Sequence, residues 1–110
     1  ATVLVFVGDE RNLPFAISEE AQKFRLARKR IGIMCTSEAA SSYALHGDVI
    51  RPFGRRGDYA AMASRLFGLF REFDRDGVDV ILVEGVPEEG LGFAIMNRLR
   101  KAAGGKVIEV

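Results

Sequence analysis

Apolar residues along the chain follow two rhythms. Five short segments are nearly continuous or alternating in apolar character: "TVLVFV" (2–7), "IGIMC" (31–35), "DVIRPF" (48–53), "VDVILV" (78–83) and "KVIEV" (106–110). These read as strands. The first and fourth are valine-rich runs, the pattern of central parallel strands covered on both faces. Between the strands, apolar residues recur at helical spacing. A first helix is expected within 14–30, opening at Pro14 or Ser18, with Ile17, Ala21 and Phe24 turned inward. Arg28, Lys29 and Arg30 should close it, where the helix dipole favours cations. A second, short helix is expected over 37–46, with Ser37 as N-cap and Gly47 as its stop. The third is the clearest. Asp58 caps it, and Tyr59, Met62, Ala63, Leu66, Phe67, Phe70 and Phe73 share one face, opposite Ser64, Arg65, Arg71 and Glu72. The last spans 91–103 and stops at Gly104-Gly105. Stepping 100° per residue buries Leu91, Ile95, Leu99 and Ala102, flanked by Met96 and Ala103. Asn97, Arg100 and Lys101 point away, Arg98 lies on the border, and Phe93 falls on the polar side.

Strand and helix alternate strictly. That order predicts an α/β fold: one Rossmann-like or flavodoxin-like three-layer α/β/α domain over 1–110, with a five-stranded, mainly parallel sheet and right-handed crossovers. Two strand orders are open, 2-1-3-4-5 and 3-2-1-4-5.

Composition narrows the function classes. The chain is 48% hydrophobic with net charge +1, which argues against disorder and demands neither nucleic acid nor a membrane as partner. Direct nucleic-acid binding is not expected. No apolar run is long enough to span a bilayer. Cys35, the single cysteine, excludes an internal disulfide framework and suits a reducing, cytoplasmic compartment. The start at Ala1, without Met, fits tag removal or processing, and also a domain excised from a longer protein.

In such a sheet, ligands sit beyond the C-terminal ends of the strands. The loops there carry Asp9, Glu10, Arg11, Arg55, Arg56, Glu84, Glu88 and Glu89, a mixed-charge rim. Gly90 and Gly92 stand where the last helix begins, so Arg55, Arg56, Gly90 and Gly92 are the candidates for a nucleotide or other anion. Glu88 and Glu89 oppose an anion there and suit the helix dipole instead. No dinucleotide fingerprint follows the first strand, and no P-loop lysine is present. Cys35 lacks the arginine six residues on that a thiol phosphatase needs. Asp9 and Glu10 could serve a phospho-receiver, but Ile50-Arg51-Pro52 stands where its aspartate belongs. One Cys and one His make no metal cluster, and His46 reads as a helix-end residue. No nucleophile–base pair is found. No catalytic residue and no metal ligand is therefore assigned, and no cofactor is expected in this domain. Phe93, Asn97 and Arg100 form a candidate contact surface.

The stretch 69–105 contains, in order, a helix ending "REFD", a strand ending "VEGV", and "GLGFAIMNRLRKAA". In these motifs it resembles the C-terminal domain of the two-domain L-threonylcarbamoyladenylate synthases; the earlier part agrees in layout. The resemblance implies a full-length nucleotidyltransferase that makes threonylcarbamoyl-adenylate from threonine, bicarbonate and ATP, with Mg, releasing pyrophosphate, for the threonylcarbamoyladenosine modification of tRNA. It places the chemistry in an N-terminal YrdC-like catalytic domain, which becomes the expected partner, beside other proteins forming threonylcarbamoyladenosine. The family motif falls on Glu84, Gly85, Gly90, Gly92, Asn97, Arg98 and Lys101, with a structural or regulatory role. Against this accessory-domain reading stand two others: a free-standing nucleotide- or anion-binding module, and a pure interaction domain.

Overall fold

The computed structural model describes residues 1–110. Its strands are β1 (Thr2–Val7), β2 (Ile31–Thr36), β3 (Val49–Gly54), β4 (Val80–Glu84) and β5 (Val107–Glu109), and its helices α1 (Leu13–Leu26), α2 (Tyr59–Asp76) and α3 (Leu91–Ala102). All strand pairings are parallel, and the sheet runs β3-β2-β4-β1-β5. The α/β reading therefore holds, but neither expected strand order does. β4 sits at the centre, between β2 and β1, and all five of its residues are buried. β1 is displaced one place outward and takes the three-residue β5 as its other neighbour.

This order winds the chain in two directions. From β1 to β2 to β3 it moves toward one edge; from β3 to β4 to β5 it returns. Right-handed crossovers then put the connections of the first half on one face and those of the second half on the other. The core divides accordingly. Ile17 and Ala21 of α1 pack with Phe6, Ile31, Ile33 and Leu82. Met62, Leu66, Leu69 and Phe73 of α2, with Ile95, Met96 and Leu99 of α3, pack with Val5, Met34, Ile81 and Val83. β3 is an edge strand, which lets it contain Pro52, a residue without a ladder N–H. Beside it Arg51 bonds Asp76 at 2.8 Å and blunts that edge.

Several local expectations are corrected. α1 ends at Leu26, before the basic trio. Arg28 adopts a left-handed φ of 61°, and the amides of Arg28 and Lys29 return to the carbonyls of Arg25 and Phe24. That is a Schellman closure with arginine where glycine is usual. The expected helix over 37–46 is only a 3₁₀ turn, Ala40–Tyr43. Thr36, not Ser37, supports its start: the Thr36 hydroxyl accepts from the Ala39 amide. Gly47 is needed for space, since a Cβ there would lie 2.9 Å from Ile33 Cδ1.

α2 starts where expected, with the Asp58 carboxylate accepting from the Ala61 amide at 3.2 Å, and ends at the left-handed Gly77. Phe67 is not part of its inner stripe. It is 63% exposed, and the Arg98 guanidinium lies 5.4 Å from its ring centre. In α3 the buried stripe is Gly92, Ile95, Met96, Leu99 and Ala103, while Leu91 and Ala102 face outward. The helix is rotated toward Gly92 because that residue presses on the Pro87 carbonyl, with no room between for a Cβ.

Candidate functional site

β1 and β4 lie side by side, yet the loop after β1 leads to α1 on one face and the loop after β4 leads to α3 on the other. The diverging loops open a crevice at the C-terminal edge of the sheet, where α/β proteins place their ligands. A cleft of about 320 Å³ occupies it. Gly8, Asp9 and Glu10 come from the loop after β1, Leu13 from the start of α1, and Thr36 from the end of β2. Arg56, Gly57, Tyr59 and Met62 come from the β3–α2 junction, and Glu84, Gly85, Val86 and Pro87 from the end of β4.

Glu84 is the chemical centre of this edge. It was expected on the rim but is 3% exposed. A buried carboxylate needs hydrogen bonds on both oxygens. Glu84 has them: the Thr36 amide donates to Oε1 at 2.7 Å, and the Tyr43 hydroxyl donates to Oε2 at 2.6 Å. The carboxylate thus ties β4 to β2 and to the 3₁₀ turn below the cleft floor. Its neighbours are kept protonated. Burial pushes the Cys35 thiol up to about 12, with the Glu84 charge adding to the effect. Burial first and Glu84 second likewise hold the Tyr43 hydroxyl far above the ordinary phenol range.

Ion pairs fill the rim. Arg56 Nε lies 2.8 Å from Glu10 Oε2, an ion pair that joins the loops after β1 and β3 across the mouth of the cleft. The Arg56 amide donates to Glu38 at 2.9 Å, which holds that carboxyl below its ordinary range. Arg11 clasps Asp9 at 2.7 Å and lowers its pKa to about 2. No three His, Cys, Asp or Glu side chains converge as a metal ion would require.

The candidate residues fall into separate places. Arg56 lines the cleft, whereas Gly90 and Gly92 do not. Arg55 is exposed and makes no ion pair. Gly90 has φ 54° and starts α3, but the Gly92 and Phe93 amides are taken by the Glu89 and Gly90 carbonyls. Phe93 and Asn97 are exposed, and Arg100 pairs with Glu88. Of the motif residues, Glu84 and Gly85 belong to the cleft, Gly90 and Gly92 shape the entry to α3, and Asn97, Arg98 and Lys101 are on its outer surface.

Thr36 and Tyr43 were not singled out from the sequence. A signal existed in each case. A glutamate closing an apolar strand has to find donors, and a tyrosine inside the polar run "SEAASSYALHG" is a donor with a buriable ring. Their pairing spans 41 positions, beyond the reach of local pattern.

Fold and cleft define a doubly wound parallel α/β domain whose one deep carboxylate is bonded into the framework. The sequence profile of the family described as "Threonylcarbamoyl-AMP synthase, C-terminal domain" matches residues 1–104. The chain belongs to this family. It is 40% identical over 95 residues to the threonylcarbamoyl-AMP synthase of Bacillus subtilis, covering 86% of this chain and 27% of that protein. It is 38% identical to the Pyrococcus abyssi enzyme, covering all of this chain and 30% of the relative. The chain thus spans less than a third of these curated relatives. The crystal structure of P. abyssi Sua5 complexed with L-threonine superposes with TM-score 0.87 over 100% of this chain and 30% of that one, at 38% identity. The C-terminal Sua5 domain from Pyrococcus horikoshii superposes with TM-score 0.78 at 31% identity, covering 100% of this chain and 97% of that chain.

Proposed function

We propose that this chain is the non-catalytic accessory domain of a threonylcarbamoyl-AMP synthase, supporting or regulating a YrdC-like catalytic domain of the same protein in the cytoplasm. The parent enzyme would consume threonine, bicarbonate and ATP and release pyrophosphate, with ATP and Mg handled by the catalytic half. The observation that carries this reading is the commitment of Glu84. The cleft's one buried carboxylate has both oxygens bonded within the fold, which suits a framework role. Exposed Phe93 and Asn97 supply the contact with the catalytic half, while Arg100 is drawn away to Glu88.

Pyrophosphate release tests the proposal. The isolated domain should release none from threonine, bicarbonate and ATP. The full-length protein should, and removing residues 1–110 from it should lower the rate. Turnover by the isolated domain would overturn the proposal.

Arg56 at the cleft mouth favours a second reading, a nucleotide-sensing role within the same assembly. Amide NMR spectra recorded while ATP is added decide it. Shifts confined to the loops after β1, β3 and β4 support sensing, and unchanged spectra at millimolar ATP exclude it.

A further inference from the structure

The chain's net charge is +1, but its charges are unevenly paired. At the cleft edge Asp9, Glu10 and Glu88 each have an arginine partner, and the Arg56 amide donates to Glu38. The outer face of the α2–α3 layer is different. Arg65, Arg71 and Arg75 on α2 and Arg98 on α3 take part in no ion pair. α3 contains no acid. Of the three acids within α2, Glu72 and Asp76 are engaged by Arg51, leaving only Asp74. Arg65, Phe67, Gly68, Arg71 and Arg75 border one shallow depression together with Glu72, whose charge Arg51 offsets, and Arg98 stacks over Phe67.

Helix-dipole matching accounts for Arg75 in the last turn of α2 but not for Arg65 or Arg98. Nor does it account for an aromatic ring 63% exposed among guanidinium groups. Unpaired arginines track a phosphate backbone, and an aromatic ring between them offers a face on which an unstacked base can lie. Arg65 and Arg75 are ten residues apart, about 15 Å along the helix, room for two or three phosphates. Gly68 removes side-chain bulk from the middle of the strip and lets a chain lie close.

We propose that the outer face of α2 and α3, centred on Phe67 and Arg71, binds single-stranded or loop RNA. This goes against the expectation from overall charge balance. It rests on this surface and not on the accessory role proposed above.

The test is fluorescence anisotropy of the domain with a labelled single-stranded RNA of about ten nucleotides, and with a duplex of the same length. Binding should favour the single strand. With two or three phosphates neutralised, log K should fall with log[salt] at a slope of about −2. Arg71→Glu with Arg75→Glu should weaken binding at least about tenfold. Phe67→Ala should weaken it about tenfold and Phe67→Tyr should restore it, which a purely electrostatic surface would not do. The paired reversal Lys29→Glu with Lys106→Glu, away from this face, should have a smaller effect than the arginine pair. Melting curves check that the variants, all at exposed positions, remain folded. Three results would each overturn the proposal: no binding at low salt, equal losses from the two charge-reversal pairs, or indifference to Phe67→Ala. Absence of RNA binding together with weaker docking of the catalytic half by the Arg71/Arg75 variant would identify the face as a protein interface instead.

Discussion

Arg28 adopts a backbone conformation that costs a side chain about 1–2 kcal/mol and costs glycine almost nothing. Glycine loses more freedom on folding, which offsets part of the gain. Arg28→Gly should therefore raise stability by roughly 0.5–1 kcal/mol in denaturant unfolding, since Arg28 makes no ion pair that would be lost. Cys35 has the opposite kind of consequence, one expressed through pH. Its thiol is shifted from 9.0 to about 12 in the folded protein. Between those values the unfolded chain gives up a proton that the folded chain keeps. The contribution is fully present below pH 9.0 and is lost as pH rises toward about 12. Tyr43, also raised, acts with the same sign. Urea midpoints should fall steeply through that window, and Cys35→Ala should flatten the fall while lowering stability at neutral pH. The apolar segment "IGIMC" places Cys35 in a strand. The carboxylate that helps raise its pKa was not legible in the sequence, because Glu84 meets Tyr43 and Thr36 only after the sheet has assembled.

Among the elements, α3 shows how one backbone contact sets a helix. The sequence pattern gives its length and its stop, and both agree with the structure to within a residue. The pattern misplaces its buried face because it weighs side chains and takes no account of Gly92 against the Pro87 carbonyl. Gly92→Ala has to push that loop away. Overpacking of this kind costs about 1–3 kcal/mol, seen as a lower melting temperature. Gly90→Ala is a useful comparison, since a Cβ there meets nothing and only the φ of 54° resists it. The 3₁₀ turn failed for another reason. The segment 37–46 has helix-forming alanines but few apolar residues to bury, and β2 and β3 are neighbours that a short connection can join. α2 was read well apart from Phe67, which is at the border of a stripe whose neighbouring helix ends in arginines and alanines.

At the level of the whole molecule, alternation of apolar strands and amphipathic helices was enough to specify a parallel α/β domain. Strand order was not legible. β1 and β4 have the same apolar character, and either could satisfy its two faces at the centre. The choice lies in how α1, α2 and α3 share the two faces, which depends on every connection at once. The candidate site was half legible for the same reason. Its loops could be named from the topology, but which charges would pair across them, such as Arg56 with Glu10, depended on strands being neighbours in an order not foreseen. A count of +1 says nothing about where the acids and arginines settle.

The chain has one thiol, on a strand buried in every residue. A reagent in water can reach it only during an opening event. When reclosing is fast, the labelling rate relative to an unfolded control is the fraction of time the domain spends open. Cys35 is thus a built-in clock for the domain's breathing. Anything that holds the folded form, whether RNA, nucleotide or the catalytic half, should slow that clock by the factor 1 + [L]/Kd. Each proposed partner could then be ranked without an added probe.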